Sequence, residues 1–548
     1  MSTFKTLLTP QYIEQYRSVW PQKTILDYLK NAVAQAPDKV AIIDKKSRYT
    51  YKELSKLVNR AALGLKQLGV EKGDVVSLQL PNWNEFIILH YAITRLGAIT
   101  NPLIPIYRER EIGYMVNAVQ SKIIIIPDTF RGFDYVKMIQ GLRPQWPFLQ
   151  DVIVIGDNVP EDTKSIDVLL GIAWEEQLDV SELDQIDIDL DDVTEIIFTS
   201  GTTGNPKGVM HTHNTLCVST NFWIDHLNLT SDDVLFMAST FAHQTGFGYG
   251  VRLPTHYVGT AVYQDVWNVE EFLQLISQEK ITFTAGATPF LQDTVQSPSL
   301  KDADLSTFHT FLALGAPIPR PLVRQAREIV SFNILSGWGQ TENGLVTVTK
   351  LTDPEEKLVN TDGAPFEGMA VKVVDAEFND VAPNEEGNLL CKGPALFVGY
   401  LNQLEETKKE YYGEWFITGD RAIMDEDGYI RISGRNKDII IRGGENIPVA
   451  YMENILYEHP DVFAAQIVAM PDPRLQEKAC AFICMKPGTV PLTMETLQQF
   501  LAEKGIAKPY WPEHLEILEE FPRTASGKIQ KFKLREIISE KITNQGAV

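Results

Sequence analysis

Residues 198–213 read FTSGTTGNPKGVMHTH. They follow an apolar run, EIIFT at 195–199, that reads as a buried strand. Small residues placed after a strand let backbone N–H groups approach an anion closely. The hydroxyls of Thr199, Ser200, Thr202 and Thr203 add donors, Gly201 and Gly204 keep the loop open, and Lys207 adds a charge. The common nucleotide loop needs Gly-Lys followed by Ser or Thr, whereas Lys207 follows Pro206 and precedes Gly208. A loop of this kind can wrap a triphosphate; the plain alternative is a polar turn between two strands.

On either side of this stretch, helices and strands alternate. Thr50 and Glu53 form a capping box, and behind them Leu54, Leu57, Val58, Ala61, Leu65 and Leu68 recur at helical spacing. DVVSLQL (74–80), KIIIIP (122–127) and DVIVIG (151–156) read as strands, and NEFIILHYAITRLG (84–97) as a helix. The alternation predicts a layered α/β fold with parallel strands. In TFTAGATP (282–289), TFLALGAP (310–317) and FNILSGWGQ (332–340) a strand runs into a glycine-bearing turn. Ligands in such folds bind outside the carboxyl ends of strands, where these turns lie. After residue 360, short strands separated by Gly, Asn and Asp turns suggest a small β-barrel or meander. GRNKDIIIRGGENI (434–447) reads as a hinge, and the residues beyond it have the pattern of a small α+β domain.

The chain has 548 residues, too many for one core, and a formal net charge of -22. Such a surface repels nucleic acid and anionic membranes, so an anionic ligand must be held by local positive charge. Four cysteines without zinc-type spacing suit a reducing cytoplasm. The run FIILHYAITRLGAI is broken by His90 and Arg95, which makes it a core helix and not a membrane span.

TSGTTGNPKG (199–208) resembles the signature loop of the adenylate-forming superfamily, which includes acyl-CoA synthetases, aryl-acid ligases, peptide-synthetase adenylation domains and luciferases. LGAP (314–317), GWGQTE (337–342), TGD (418–420), GRNKDIIIRGGEN (434–446) and PRTASGKIQK (522–531) follow in the family's order. The resemblance implies an adenylation domain over residues 1–436, built of layered α/β subdomains and a small β-barrel. A mobile α+β domain over 437–548 would follow it.

By the same resemblance, Trp338 covers one face of adenine and the Gly315–Ala316–Pro317 backbone the other. Gly337, Gly339 and Gln340 complete the nucleotide wall. Thr341 donates to the α-phosphate, Glu342 and Thr202 hold Mg2+, and Asp420 accepts from the ribose hydroxyls. Arg435 lies near ribose and phosphate, and Lys437 falls at the family's hinge. Lys528 reaches into the site to bridge carboxylate and α-phosphate, while Arg523, Lys531, Lys533 and Arg535 read as a solvated face. Gly443 and Gly444 flank a pantetheine tunnel, and His243 stands between the acid and thiol sites. His211 and His213 read as structural residues on the strand after the loop.

The cosubstrates so implied are ATP with Mg2+, coenzyme A and a small-molecule carboxylic acid. Acid-pocket positions are Phe241, His243, Gly246, Phe247, Gly286, Ala287, Gly315, Leu345 and Val346, mostly apolar or small. GFGYG (246–250) reads as a close-packed helix start there. These positions, assigned by family position, favour a small to medium hydrophobic acid, and TFAHQTGF (240–247), GATPF (286–290) and RGGENI (442–447) together resemble the branch holding short- and medium-chain fatty acyl-CoA ligases and cyclohexanecarboxylate-CoA ligase. An aryl-acid ligase of the dihydroxybenzoate type, loading a carrier protein, is the alternative. Those ligases typically have Asn where this chain has Gln244, and Met-Ala where it has Gln340-Thr341. A non-catalytic nucleotide-binding relative is the third reading; Lys528 and Glu342, both present, speak against it. A homodimer is left open.

Overall fold

The computed structural model describes residues 4–199, 206–316, 318–438, 440–442, 445–472, 475–506, 508–524 and 527–545. Two large, mostly parallel sheets form the body. In the first, of eight strands, Asp151–Ile155, Ile123–Pro127, Val75–Leu78, Ile99–Pro102 and Val193–Thr199 run parallel. Helices cover such a sheet on both faces, which is why its strands read as unbroken apolar runs; Ile123–Pro127 is buried at every position. In the second, of nine strands, Val234–Met237, Phe283–Gly286, Thr310–Ala313 and Asn333–Gln340 run parallel.

The local signals act as the sequence suggests. Helix Tyr51–Gln67 begins with the Thr50–Glu53 capping box. Helix Asn84–Arg95 is a core element, and the polar residues that interrupt its apolar run are bonded inside. His90 Nδ1 meets Thr100 Oγ1 at 2.9 Å, and Arg95 Nε donates to Asn59 Oδ1 at 3.2 Å. Among the described residues, no helix is long and apolar enough to cross a membrane. One expectation needs correction. His211 is on the strand Lys207–Thr212, but His213 is the first residue of helix His213–Leu227, because Thr212 caps that helix by accepting from Thr215 N.

Where the barrel or meander was expected, five strands, among them Ala370–Val374, Glu386–Lys392, Trp415–Met424 and Ile430–Arg435, pair antiparallel. The C-terminal part has its own five-stranded sheet, centred on Val462–Asp472 and Gln476–Met485. Helices Val449–Tyr457, Met494–Glu503 and Lys531–Gln545 pack there over two small apolar cores.

One buried charge pair ties the body together. Glu195 stands on strand Val193–Thr199, and Arg252 ends a π-helix, Thr245–Arg252. Arg252 Nη1 meets Glu195 Oε2 at 2.5 Å, both side chains being at most 1% exposed. The guanidinium also lies 4.6 Å from the Phe247 ring centroid. Removing one member leaves the other charged and uncompensated. Arg252→Met is therefore expected to cost about 3–5 kcal/mol. The Glu195→Met/Arg252→Met double variant should recover most of that loss, as read from urea-unfolding midpoints.

Candidate active site

Carboxyl ends of strands from both large sheets converge with the antiparallel sheet at one place. Strand Val193–Thr199 delivers the chain to the glycine-threonine loop, and Lys207 returns it, in register with Thr199. Ser200, Gly201, Thr202, Thr203 and Gly204 lie outside the described residues, as do Pro317, Gly443 and Gly444. Lys207 Nζ pairs with Glu410 Oε1 at 2.8 Å and sits 4.5 Å from the Tyr400 ring centroid.

The strand Asn333–Gln340 turns back on Gly344–Val348 in a tight hairpin. Glycine is obligatory at 339: a Cβ there would lie 1.9 Å from the Gly344 carbonyl oxygen. Gly337 is similarly close to the Thr347 carbonyl, at 3.0 Å. The turn carries Thr341 and Glu342, and two contacts fasten it. His211 Nε2 bonds the Thr341 carbonyl at 2.7 Å, and Phe397 N donates to the Glu342 carbonyl at 2.7 Å. Burial pushes the Glu342 carboxyl up, opposed by the Tyr400 hydroxyl, which donates to Oε1 at 3.0 Å, and by the charges of Arg435 and Lys207.

Asp420 is 3% exposed and is a hub. Its Oδ2 accepts from Trp338 Nε1 at 2.8 Å and from Gln340 Nε2 at 3.0 Å. Its Oδ1 meets Arg435 Nε at 2.9 Å, across the antiparallel register that pairs the two residues. That neighbour raises the Arg435 guanidinium further above its ordinary value. The sequence motifs at 337–342, 418–420 and 434–437 thus converge on one carboxylate. Lys437 lies in the short turn Asn436–Asp438 that follows.

The C-terminal part is docked over the same strand ends. Arg320 N donates to Asn454 Oδ1 at 3.1 Å, and Gln292 Nε2 donates to the Phe463 carbonyl. Lys528 is carried by a tight loop: Thr524 N donates to its carbonyl at 2.7 Å, and its own N–H donates to Thr524 Oγ1 at 3.0 Å. The Gly527 backbone lies against Ala287 and Phe290. Burial pushes the His243 imidazole down to about 4, and the Lys528 ammonium acts in the same direction. At neutral pH His243 is uncharged.

The expected acid pocket is partly redrawn. Gly315, with φ +79, has only Thr245 Oγ1 near its side-chain direction, at 3.8 Å. Ala316 follows it in the same half-exposed turn. Gly286 ends its strand and Ala287 stands at the start of the next helix, beside Phe290 and the Lys528 loop. Gly246 does not face a cavity, since a Cβ there would lie 2.1 Å from the Thr240 carbonyl oxygen. Phe241 and Phe247 are committed to the core, both packed on Phe86. Leu345 and Val346 are buried in the hairpin. GFGYG lies inside the π-helix. Tyr249, which motif reading passed over, accepts from Leu345 N at 2.8 Å and stacks on Trp223 at 3.9 Å. Tyr400 and Glu410 were also passed over. Tyr400 closes an apolar run, ALFVGY at 395–400, that reads as plain core.

A metal fits this geometry. Mg2+ takes one or two carboxylates together with substrate phosphates, and Glu342 offers an oxygen donor on the Tyr400 hydroxyl, whose ring also meets Lys207.

Residues 29–401 match the AMP-binding enzyme family, and residues 451–528 match the AMP-binding enzyme C-terminal domain. A medium-chain fatty-acid–CoA ligase of Escherichia coli (strain K12) is 36% identical over 99% of this chain and 96% of its own. A 2,3-dihydroxybenzoate-AMP ligase of Bacillus subtilis (strain 168) is 32% identical over 96% of each. The crystal structure of an anthranilate CoA ligase in complex with anthranoyl-AMP superposes with a TM-score of 0.86. It is 25% identical and covers 97% of this chain and 99% of that one.

The indole N–H of Trp338 gives a prediction. Trp338→Phe keeps an aromatic ring, the face that the resemblance assigns to adenine, but takes a donor from the Asp420 carboxylate. A hydrogen bond to a charged group is worth about 1.5–3 kcal/mol, so the Kd for ATP should rise about tenfold or more in calorimetric titration. Discrimination between ATP and its 3′-deoxy analogue should narrow with it.

Proposed function

Because the chain belongs to the AMP-binding enzyme family and is a ligase of it, we propose that it is an ATP-dependent acyl-CoA synthetase of the cytoplasm acting on a small to medium hydrophobic acid. The reaction has two steps. A carboxylate oxygen attacks the α-phosphorus of ATP, giving acyl-AMP and diphosphate. The CoA thiolate then attacks the acyl carbon and AMP leaves, giving the thioester.

The observation that carries the reading is the Lys528 loop, set against Ala287 and Phe290 with its ammonium acting on His243. Two anions must meet in the first step, and charge builds on the α-phosphoryl oxygens as they do. Lys528 neutralises that charge. Thr341 donates to the same group, Trp338 and the Gly315–Ala316 turn sandwich adenine, and Asp420 takes the ribose. The phosphate loop, Thr199 to Gly204 with Lys207, holds the diphosphate end. Glu342 holds Mg2+, which supplies charge neutralisation at the phosphates when bound. A closed, water-poor site protects the reactive acyl-adenylate.

We place the hinge at Lys437, between a body of residues 1–436 and a moving part of 437–548. Swinging the latter withdraws Lys528 and brings Gly443 and Gly444 to the thiol. Domain closure of this kind is ordinary gating.

The apolar surroundings of the π-helix support a hydrophobic acid. A second reading, an aryl-acid AMP ligase, draws on the 32% identical dihydroxybenzoate relative; Gln244 and the Gln340-Thr341 pair count against it.

Two experiments test this. Lys528→Ala should slow adenylation on the order of 10²-fold or more, followed by pyrophosphate exchange, and largely spare thioester formation from supplied acyl-AMP. An equal fall in both half-reactions would overturn the two-pose mechanism. For the acid, diphosphate release is measured with and without CoA on butyrate through dodecanoate, cyclohexanecarboxylate, benzoate and 2,3-dihydroxybenzoate. CoA-dependent turnover favouring an alkyl or alicyclic acid is expected. Activity confined to dihydroxybenzoate, without repeated turnover on CoA, would move the chain to the carrier-loading branch.

A further inference from the structure

Tyr400 stands on a two-residue strand, Gly399–Tyr400, at the edge of the eight-stranded sheet and in register with Val209. The backbone around it is bonded on two sides. Val398 N donates to the Met210 carbonyl at 2.9 Å, and Leu401 N to the Gly208 carbonyl at 2.8 Å. Phe397 N donates to the Glu342 carbonyl at 2.7 Å. A third anchor is Tyr400 N, which donates to Thr407 Oγ1 at 2.9 Å. The residue is therefore held rigidly against both the strand leaving the phosphate loop and the turn carrying Glu342.

Its side chain then serves both. The hydroxyl donates to Glu342 Oε1 at 3.0 Å. The ring face receives Lys207 Nζ at 4.5 Å from its centroid, a cation–π distance. Glu410 Oε1, 2.8 Å from the same Nζ, fixes the lysine's other side.

We propose that Tyr400 is a positioning residue that sets Glu342 for the metal and Lys207 for the phosphates in one arrangement. The inference rests on the reading of Glu342 and Lys207 given above. By engaging Oε1, the hydroxyl fixes the plane of the carboxylate before nucleotide arrives. An ion that takes few protein ligands depends heavily on how each is oriented. Partners that orient a metal ligand in this way typically change metal affinity 10- to 100-fold when removed. The ring does the same for Lys207, which otherwise has many rotamers to lose on binding.

The test separates hydroxyl from ring. ATP is titrated calorimetrically onto the full chain, in Mg2+ and in EDTA, for wild type, Tyr400→Phe, Tyr400→Leu and Glu342→Gln. The quantity read is the ratio of the two Kd values, and a partly unfolded preparation lowers both arms alike. Tyr400→Phe should leave the Kd in EDTA unchanged and reduce the magnesium advantage about tenfold. Tyr400→Leu should in addition weaken binding in EDTA, because Lys207 loses its platform. Glu342→Gln should abolish the magnesium advantage. If Tyr400→Phe keeps the wild-type ratio while Glu342→Gln loses it, the positioning role is overturned and the metal assignment stands. If Glu342→Gln also keeps the ratio, the metal assignment itself fails and takes the inference with it.

Discussion

Three main-chain hydrogen bonds from residues 397–401 hold the candidate site in shape. They run to Gly208, Met210 and Glu342, stretches far apart in sequence. A buried amide has to find a partner, and here each partner lies on a segment that also carries a candidate site residue. The phosphate-loop strand, the Glu342 turn and the Tyr400 edge strand are consequently one rigid unit. The second fixed point is the Asp420 carboxylate, which gathers Trp338, Gln340 and Arg435. Between these two clasps lies the space where the resemblance puts nucleotide phosphates and ribose.

Charge is arranged against the grain of the molecule. The chain carries a net -22, yet Lys207, Arg435 and Lys528 stand around the same strand ends. Exposed charges separated by more than about 8 Å are largely screened at physiological salt. The distant acidic surface therefore matters little to a bound anion, and the near cations decide. Lys207 is tied to Glu410 and Arg435 to Asp420. These ties hold the cations in place.

Much of this was legible in the sequence, because the signals were local or came as spaced motifs. Strand-then-glycine turns at 282–289, 310–317 and 332–340 do end parallel strands. The Thr50–Glu53 cap was readable from two residues. What escaped depends on contacts that no local pattern encodes. Tyr400 looked like the end of an apolar run, and its role appears only once strand pairing brings Glu342 and Lys207 to it. Gly246 resembled a pocket glycine, but the carbonyl of Thr240, in the loop before the helix, occupies its side-chain direction. The π-helix Thr245–Arg252 widens its turn, so Phe247 faces the core and Tyr249 reaches the hairpin. Periodicity taken at 3.6 residues per turn cannot foresee that shift.

The neutrality of His243 bears on how two reactions share one site. In the proposed cycle, a charged imidazole would be a fixed cation beside the reacting carboxyl throughout. Burial prevents this and keeps its pKa near 4. The cation at that spot is then Lys528, which belongs to the C-terminal part and arrives on a loop docked against Ala287 and Phe290. In the proposed cycle, adenylation needs that charge, while the thioester step needs room for a thiol. Under that proposal, a neutral histidine in the body and a lysine on the moving part would let one displacement switch the field and open the path together.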